Sequence, residues 1–225
     1  MIMEEKPGNW QGKEILTSHP RYKQNQEMSK SIVMIWLFVL FAGIVSLFWY
    51  NEWVYNLPTP VPAHYAAVNP GQEIKIARQL NTGDNKPLFL HFFNPDCPCS
   101  RFNISHFKSL VKQYSNKANF AIVVMSKKNY TAGDIQKRFE LNTPVLFDTA
   151  IAVSCGVYST PQAVIIGTDY KLYYRGNYNR SRYCADEKTS YAKIALEGLL
   201  HNDHNMIFNQ FALTAYGCKL PNCNQ

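Results

Sequence analysis

From Ser31 to Tyr50 the chain reads SIVMIWLFVLFAGIVSLFWY, with no charge and no polar stripe. That is the ~20-residue apolar length a helix needs to cross the hydrocarbon of a bilayer. Trp49, Tyr50, Trp53 and Tyr55 crowd its C-terminal end, where amphipathic rings favour the headgroup layer. A cleaved signal peptide has a shorter apolar core that ends at small residues, whereas this one ends in Phe-Trp-Tyr, so the pattern predicts an uncleaved anchor. Further on, short apolar runs alternate with amphipathic segments. Leu88–Phe93 is apolar except for His91, as expected of a strand covered on both faces. Cys99–Ser115 carries apolar residues at Phe102, Phe107, Leu110, Val111 and Tyr114, a helical period. Phe120–Met125 predicts a second strand and Ala132–Leu141 a short helix. Pro161–Ile166 and Lys171–Arg175 flank Gly167-Thr168-Asp169-Tyr170, which reads as a hairpin. Thr189–Leu200 predicts a last helix. In the resulting order β-α-β-α-β-β-α, strands joined through helices run parallel and the hairpin antiparallel. The fold class is therefore α/β, a mixed sheet flanked by helices. Chemistry in such sheets gathers at the carboxyl ends of the strands, which directs attention to the turn after Phe93.

Charge orients the anchor. Arg21, Lys23 and Lys30 precede it and the first cation after it is Lys75, so the N-terminus is expected in the cytoplasm and the remainder outside. The expected location is the inner (cytoplasmic) membrane of a bacterium, single-pass, with a periplasmic C-terminal domain. The sequon Asn103-Ile-Ser within a predicted helix of the site, where a glycan would be awkward, favours a bacterial source. The expected organisation is a cytoplasmic tail at 1–30, an anchor at 31–50 and a proline-rich stalk at 51–69. A domain at 70–202 and a C-terminal extension at 203–225 follow. In the stalk, Pro58, Pro60 and Pro62 fix φ and favour an extended chain. In the extension, Phe208, Phe211, Leu213 and Tyr216 suit docking on the domain, pinned by a Cys218 bridge. Composition changes little: 46% hydrophobic against 17% charged residues excludes disorder. The net charge of +7 is scattered, with no basic run longer than Lys127-Lys128, which argues against a nucleic-acid partner.

The turn after Phe93 reads Asn94-Pro95-Asp96-Cys97-Pro98-Cys99-Ser100-Arg101. A thiol at a helix N-terminus meets unpaired N–H groups and the positive end of the dipole, which stabilise the thiolate. Arg101 would add to this and Asp96 oppose it. A disulfide between Cys97 and Cys99 closes a short ring and is readily reduced. The competing reading is a static bridge or two buried thiols, although static bridges gain most from closing long loops.

The element order, the cysteine pair after the first domain strand and Ser159-Thr160-Pro161 before the third resemble the thioredoxin-like superfamily. The resemblance is strongest to its membrane-anchored extracytoplasmic thiol-disulfide oxidoreductases of the TlpA/ResA kind, over roughly residues 70–202. It implies that Thr160-Pro161 is a cis-proline loop that faces the cysteines and binds an extended substrate segment. It also implies that Cys97 attacks a disulfide in an extracytoplasmic partner protein and that Cys99 resolves the mixed disulfide. No cofactor or metal is implied. The family motif is Cys-x-x-Cys, and Cys97-Pro98-Cys99 is one residue shorter. Matching Phe92-Phe93 to the family's aromatic pair makes Cys97 the nucleophile. Matching Pro98-Cys99 to the family's Pro-Cys instead puts Asp96 in the attacking position, in a degenerate, binding-only site. A second family of the same fold, the copper-handling Sco proteins, uses two thiolates and a distant histidine. Here no histidine lies in the matching region and Cys184 would substitute, as a soft ligand for Cu(I). A peroxiredoxin-like reading lacks the required Thr-x-x-Cys. Cys155 lies in an apolar stretch and reads as an inert buried thiol. Cys184, Cys218 and Cys223 are open to structural pairing or to a third redox role. His106 falls near the Cys99 face of its helix, as a tuning group or a plain half-buried histidine. Arg175, Arg180 and Arg182 read as a solvated basic loop or a guide for an acidic partner.

Overall fold

In a computed structural model of the chain, residues 20–55, 57–80, 84–181, 183–203 and 206–220 are described. The chain divides into two compact units, Met1–Glu52 and Trp53–Gln225. The first is dominated by helix α1 (Pro20–Tyr55). Within α1, Ser29–Trp53 has a mean hydropathy of 2.6 and is long and apolar enough to cross a membrane, with none of its span buried.

The second unit is built on a five-stranded sheet. After the single turn α2 (Ala77–Leu80) come β1 (Leu88–Phe93), α3 (Pro98–Tyr114), β2 (Asn119–Val124) and α4 (Ala132–Phe139). β3 (Val145–Leu146), α5 (Thr149–Ser154), β4 (Ser159–Thr160), β5 (Gln162–Ile166) and β6 (Leu172–Gly176) follow. A 3-10 turn at Glu187–Thr189, α6 (Tyr191–Leu200), α7 (Gln210–Leu213) and β7 (Cys218–Lys219) complete the order. The sheet order is β3-β2-β1-β5-β6. β1 runs parallel to β2 and antiparallel to β5, and β5 pairs antiparallel with β6. The expected mixed sheet is thus present, with β1 at its centre.

The period of two along each strand sorts the core. Phe89 and Phe93 of β1, Phe120, Ile122 and Val124 of β2 and Ile165 of β5 face one side, against Phe107 and Leu110 of α3 and Ala195 and Leu196 of α6. Leu88, Leu90 and Phe92 face the other side, with Val123, Val164 and Ile151 of α5. Because both faces are covered, β1 is buried at every residue, which explains why its sequence does not alternate. The edge strand β3 and the single turn and a half of α5 were not foreseen. Two residues give no readable period, and α5 depends on its cap, Asp148, whose carboxylate accepts from the Ala150 N–H at 2.8 Å.

The proline segment does not stand clear of the domain. The Thr59 N–H donates to the Ala215 carbonyl at 2.8 Å. The Tyr65 hydroxyl donates to the Gly156 carbonyl at 2.8 Å, and Arg175 holds the Val68 carbonyl at 2.8 Å. Arg175 is therefore a clamp on this segment rather than part of a basic loop.

The C-terminal extension docks as its apolar content suggests. Ala212 and Ala215 are fully buried and Leu220 nearly so. The Asn177 amide donates to the Phe211 and Thr214 carbonyls at 2.7 and 2.6 Å, and its backbone N–H donates to the Ala212 carbonyl. Residues 209–220 thus form a strap, fastened across the end of β6 by a side chain that meets backbone acceptors which would otherwise be unpaired.

Candidate functional site

The site forms where β1 ends. The Asp96 N–H donates to the Asn94 side-chain oxygen at 2.9 Å and the Cys97 N–H to the Asn94 carbonyl at 3.1 Å. Ser100 Oγ accepts from the Asn94 N–H at 3.2 Å. These bonds fold Asn94-Pro95-Asp96 into a tight turn that delivers Cys97 as the N-cap of α3, with Pro98 at its first position, where a missing N–H costs nothing. Cys97 and Cys99 are both nearly buried.

Cys97 is bonded to Cys218, 121 residues away in sequence, and not to Cys99. This corrects the expected Cys97–Cys99 pair. Cys99 stays beside the bridge: the Sγ atoms of Cys97, Cys99 and Cys218 all lie within 4.8 Å of one another. Cys218 reaches this point because β7 pairs antiparallel with β4, Thr160 opposite Cys218 and Ser159 opposite Lys219. The Thr160–Pro161 peptide bond is cis. The structure thus brings Cys97 and Cys99 close to Thr160 and Pro161, and adds a strand of the chain's own tail, paired with Thr160, that sequence reasoning missed.

The strap is fitted closely here. Gly217 has φ +151°, and a Cβ on it would collide with the Thr160 carbonyl group. Thr59 closes the back, its hydroxyl 2.9 Å from Ser159 Oγ and donating to the Gly217 carbonyl at 3.1 Å. A glycine directly before a cysteine in an apolar tail was the one legible signal for this arrangement. Gly217→Ala is expected to dislodge β7 and lower the fraction of Cys97–Cys218 bridge in air-oxidised protein by about 10-fold, equivalent to the ~1–3 kcal/mol of a backbone clash. Mass-spectrometric mapping of disulfide-linked peptides would show this, and wild-type bridging in the variant would refute the tight fit.

A cavity of about 250 Å³ opens beside the sulfurs, lined by Cys99, Asn103, Pro161, Tyr178, Tyr216 and Gly217 among others. Behind it, the Tyr178 hydroxyl lies 2.6 Å from His91 Nδ1, with both residues buried. Burial, with a smaller contribution from His106, pushes His91 down to about 3. The ring is therefore neutral, with one of its two nitrogens carrying a hydrogen. His106 is half-buried, its Nε2 3.2 Å from Ser190 Oγ and its ring edge-on to Tyr178. Burial lowers it too, with Glu187 opposing and Lys193 assisting.

The accessory candidates fall elsewhere. Arg101 is exposed. Cys184 donates to Asn103 Oδ1 at 2.9 Å, and burial pushes its thiol up to about 12. It is thus no part of the three-sulfur group, although Asn103 in turn donates to the Cys99 carbonyl at 2.9 Å. Cys155 is fully buried, which pushes it up to about 12, in keeping with an inert thiol. Burial would raise the Asp96 carboxyl, but hydrogen bonds from Lys128, Tyr130 and Ser126 hold it below its usual range. With Lys128 Nζ 3.0 Å away, its charge is largely neutralised and it opposes a Cys97 thiolate less than its position in sequence suggests. Arg180 stacks on Phe211 of the strap at 5.0 Å. Arg182 and Cys223 lie outside the described residues.

The family described as Domain of unknown function (DUF6436) matches residues 67–220, which takes in all three sulfurs. The chain belongs to this family. The match covers the DUF6436 domain from the segment clamped by Arg175 to the end of the strap. Among curated proteins there is no match. Solved structures share the fold at low identity. A hypothetical protein from Sinorhizobium meliloti 1021 is 14% identical with a TM-score of 0.51, over 72% of this chain and 94% of that one. An uncharacterised conserved protein from Geobacillus kaustophilus is 17% identical with a TM-score of 0.52, over 73% and 97%. A thiol:disulfide interchange protein of the thioredoxin family from Chlorobium tepidum TLS is 16% identical with a TM-score of 0.43, over 64% and 97%. The first two show that the mixed five-stranded sheet of this domain is a fold found in solved structures.

Proposed function

We propose that this protein is a membrane-tethered thiol-disulfide oxidoreductase that exchanges disulfides with extracytoplasmic partner proteins through Cys97. The observation that carries the reading is the Cys97–Cys218 disulfide with the Cys99 sulfur within 4.8 Å. A disulfide with a third sulfur this near is arranged for exchange rather than for static bridging. Cys97 at the N-terminus of α3 is the best placed of the three to carry negative charge, as attacking or as leaving thiolate. Thr160 and Pro161 would receive the partner's extended segment. The apolar span Ser29–Trp53 would tether the domain, and the cations at Arg21, Lys23 and Lys30 would keep the N-terminus in the cytoplasm.

The test is a glutathione redox titration of the full chain in detergent, with thiols counted by mass spectrometry and Cys97→Ser as control. The expected result is a reversible two-electron couple between about −120 and −270 mV that the control lacks. A bridge that stays oxidised below about −300 mV marks a static structural disulfide and refutes the reading. Labelling of intact cells with a membrane-impermeant maleimide after mild reduction checks the orientation, since a cytoplasmic domain would not react.

The same three sulfurs favour a second reading. Reduced, they offer a soft trithiolate set suited to Cu(I), with Cys218 where sequence suggested Cys184. This reading requires one Cu(I) per reduced chain, held against a competing chelator and lost in Cys218→Ser.

A further inference from the structure

We propose that Cys218, not Cys99, is the resolving cysteine of this site, and that the strap carrying it competes with the partner's segment for the edge of β4. The inference rests on the exchange reading above. Its grounds are the bond itself and the construction around it. Cys218 is joined to Cys97 although 121 residues separate them, and several independent contacts put it there. Asn177 pins the strap at Phe211 and Thr214. Gly217 lets the strap lie against the Thr160 backbone, and Thr59 backs the Gly217 carbonyl. Ser159 Oγ donates to the Cys218 carbonyl at 3.3 Å. A purely structural staple would not need a third sulfur within 4.8 Å. Cys99, for its part, can reach Cys97 only by closing a short ring through Pro98.

The pairing of Thr160 with Cys218 has a further consequence. An extended segment that brings its own cysteine to Cys97 along β4 would need the backbone positions that Gly217 and Cys218 now hold. Partner and strap therefore exclude each other. In the reduced protein the strap leaves β4, a partner segment takes the edge, and the Cys97 thiolate attacks the partner's disulfide. A Cys97–partner bond forms, and the partner's second sulfur leaves as a thiolate and takes up a proton. The Cys218 thiolate, its proton released to solvent, then attacks Cys97 Sγ. The Cys97–Cys218 bond forms, the Cys97–partner bond breaks, and the partner's first sulfur, the one that was bonded to Cys97, leaves as a thiolate and is protonated. The partner has gained two electrons and two protons, and the chain has lost them. A dithiol donor that reduces Cys97–Cys218 returns the protein to its starting state. In this scheme the return of the strap both resolves the mixed disulfide and clears the partner from the site.

The segment preferred by the site follows from the strap it replaces. A residue with a side chain just before the partner's cysteine would meet the Thr160 carbonyl, as a Cβ on Gly217 does, so segments with glycine in that position should react fastest.

The experiment uses the full chain in detergent, reduced and then mixed with a peptide disulfide of the form Gly-Cys–S–S–Cys-Gly under single-turnover conditions. Wild type is expected to release both peptide thiols as the Cys97–Cys218 linked peptide accumulates at the same rate. Cys218→Ser should arrest as the Cys97–peptide mixed disulfide, with release slowed by at least ~100-fold because an intramolecular thiol is lost. Cys99→Ser should stay within about 5-fold of wild type, as expected of a sulfur outside the exchange path. If Cys99→Ser arrests while Cys218→Ser turns over normally, or if a Cys97–Cys99 linked peptide forms in wild type at the rate of release, the proposal is overturned. The linked-peptide measurement needs no variant, so misfolding of Cys218→Ser cannot hide the answer. Wild type that never reacts with the peptide, or Cys97→Ser that reacts as fast as wild type, brings down the exchange reading and this proposal with it.

Discussion

Reducing the Cys97–Cys218 bridge is expected to lower the stability of the Trp53–Gln225 unit by about 2–5 kcal/mol, a large part of the ~5–15 kcal/mol that holds a domain together. The magnitude follows from loop length. The bridge closes 121 residues, and a cross-link of that span removes about 5 kcal/mol of conformational entropy from the unfolded chain at most. Part of this is offset in the reduced protein, because Asn177 continues to hold the upstream part of the strap at Phe211 and Thr214 without the bond. The loss should therefore be local first. Amides of residues 215–220 should exchange with solvent much faster on reduction, while those of β1, buried on both faces, keep the protection of the global fold. Guanidinium unfolding of the full chain in detergent with and without a dithiol, paired with hydrogen exchange, measures both effects. Cys218→Ser should match reduced wild type, and Cys99→Ser should match oxidised wild type. An unfolding midpoint that does not move on reduction would show that the strap is held by its non-covalent contacts alone, and a drop in Cys99→Ser would assign the stabilising bond to the wrong pair.

Most of the sheet was legible because β1, β2 and β5 are continuous apolar runs and α3 and α6 carry clear helical periods. β1 falls on the residues its pattern marks, and the hairpin turn falls at Gly167–Tyr170 as its glycine and aspartate suggest. The strands that periodicity did not show are those too short to have a period: β3, β4 and β7, of two residues each. Two of these make the site. β4 and β7 bury little apolar surface of their own and depend on Gly217, Thr59 and Ser159, a close approach and side-chain bonds that only tertiary structure assembles. The placement of the cysteines was legible up to the same limit. Cys97 and Cys99 fall at the strand-to-helix turn that the pattern marks, but nothing in local spacing joins Cys97 to a residue 121 positions on. The short Cys-Pro-Cys motif is the indirect sign. Where the second cysteine sits two positions from the first, a partner from elsewhere in the chain can take its place in the disulfide.

Acidification from pH 7 to pH 5 should cost the Trp53–Gln225 unit about 2 kcal/mol, most of it through His91. Its folded value is pushed from 6.5 to about 3 by burial, with His106 adding to the shift. A depressed value means that the unfolded chain binds the proton and the folded chain does not. Stability is therefore full above about pH 6.5, then falls by about 1.4 kcal/mol per pH unit until the folded value is reached near 3. The cause is visible in the packing. The ring stacks on Phe107 at 4.6 Å, lies edge-on to Tyr178 and beside Phe93, and its one polar neighbour among the described contacts is the Tyr178 hydroxyl, 2.6 Å from Nδ1. Nε2 is buried with no hydrogen-bond partner among the described residues, so an imidazolium here would be a buried charge only half satisfied. His106, also lowered by burial, adds a smaller share. Asp96 and Asp134, whose carboxyls lie below their usual range, stay ionised at pH 5 and contribute only in stronger acid. His91→Phe alone should destabilise at pH 7 by about 1–3 kcal/mol, because it strands the buried Tyr178 hydroxyl. The double variant His91→Phe/Tyr178→Phe should regain much of that and lose most of the slope between pH 7 and 5, while His106→Gln keeps most of it. Equal slopes in wild type and the double variant, measured by denaturant unfolding at the two pH values, would remove His91 as the cause. Tyr178 also lines the cavity beside Cys99. Because folded His91 stays neutral until its value of about 3 is approached, the 2.6 Å His91–Tyr178 contact and this wall of the cavity should persist at pH 5 while global stability falls.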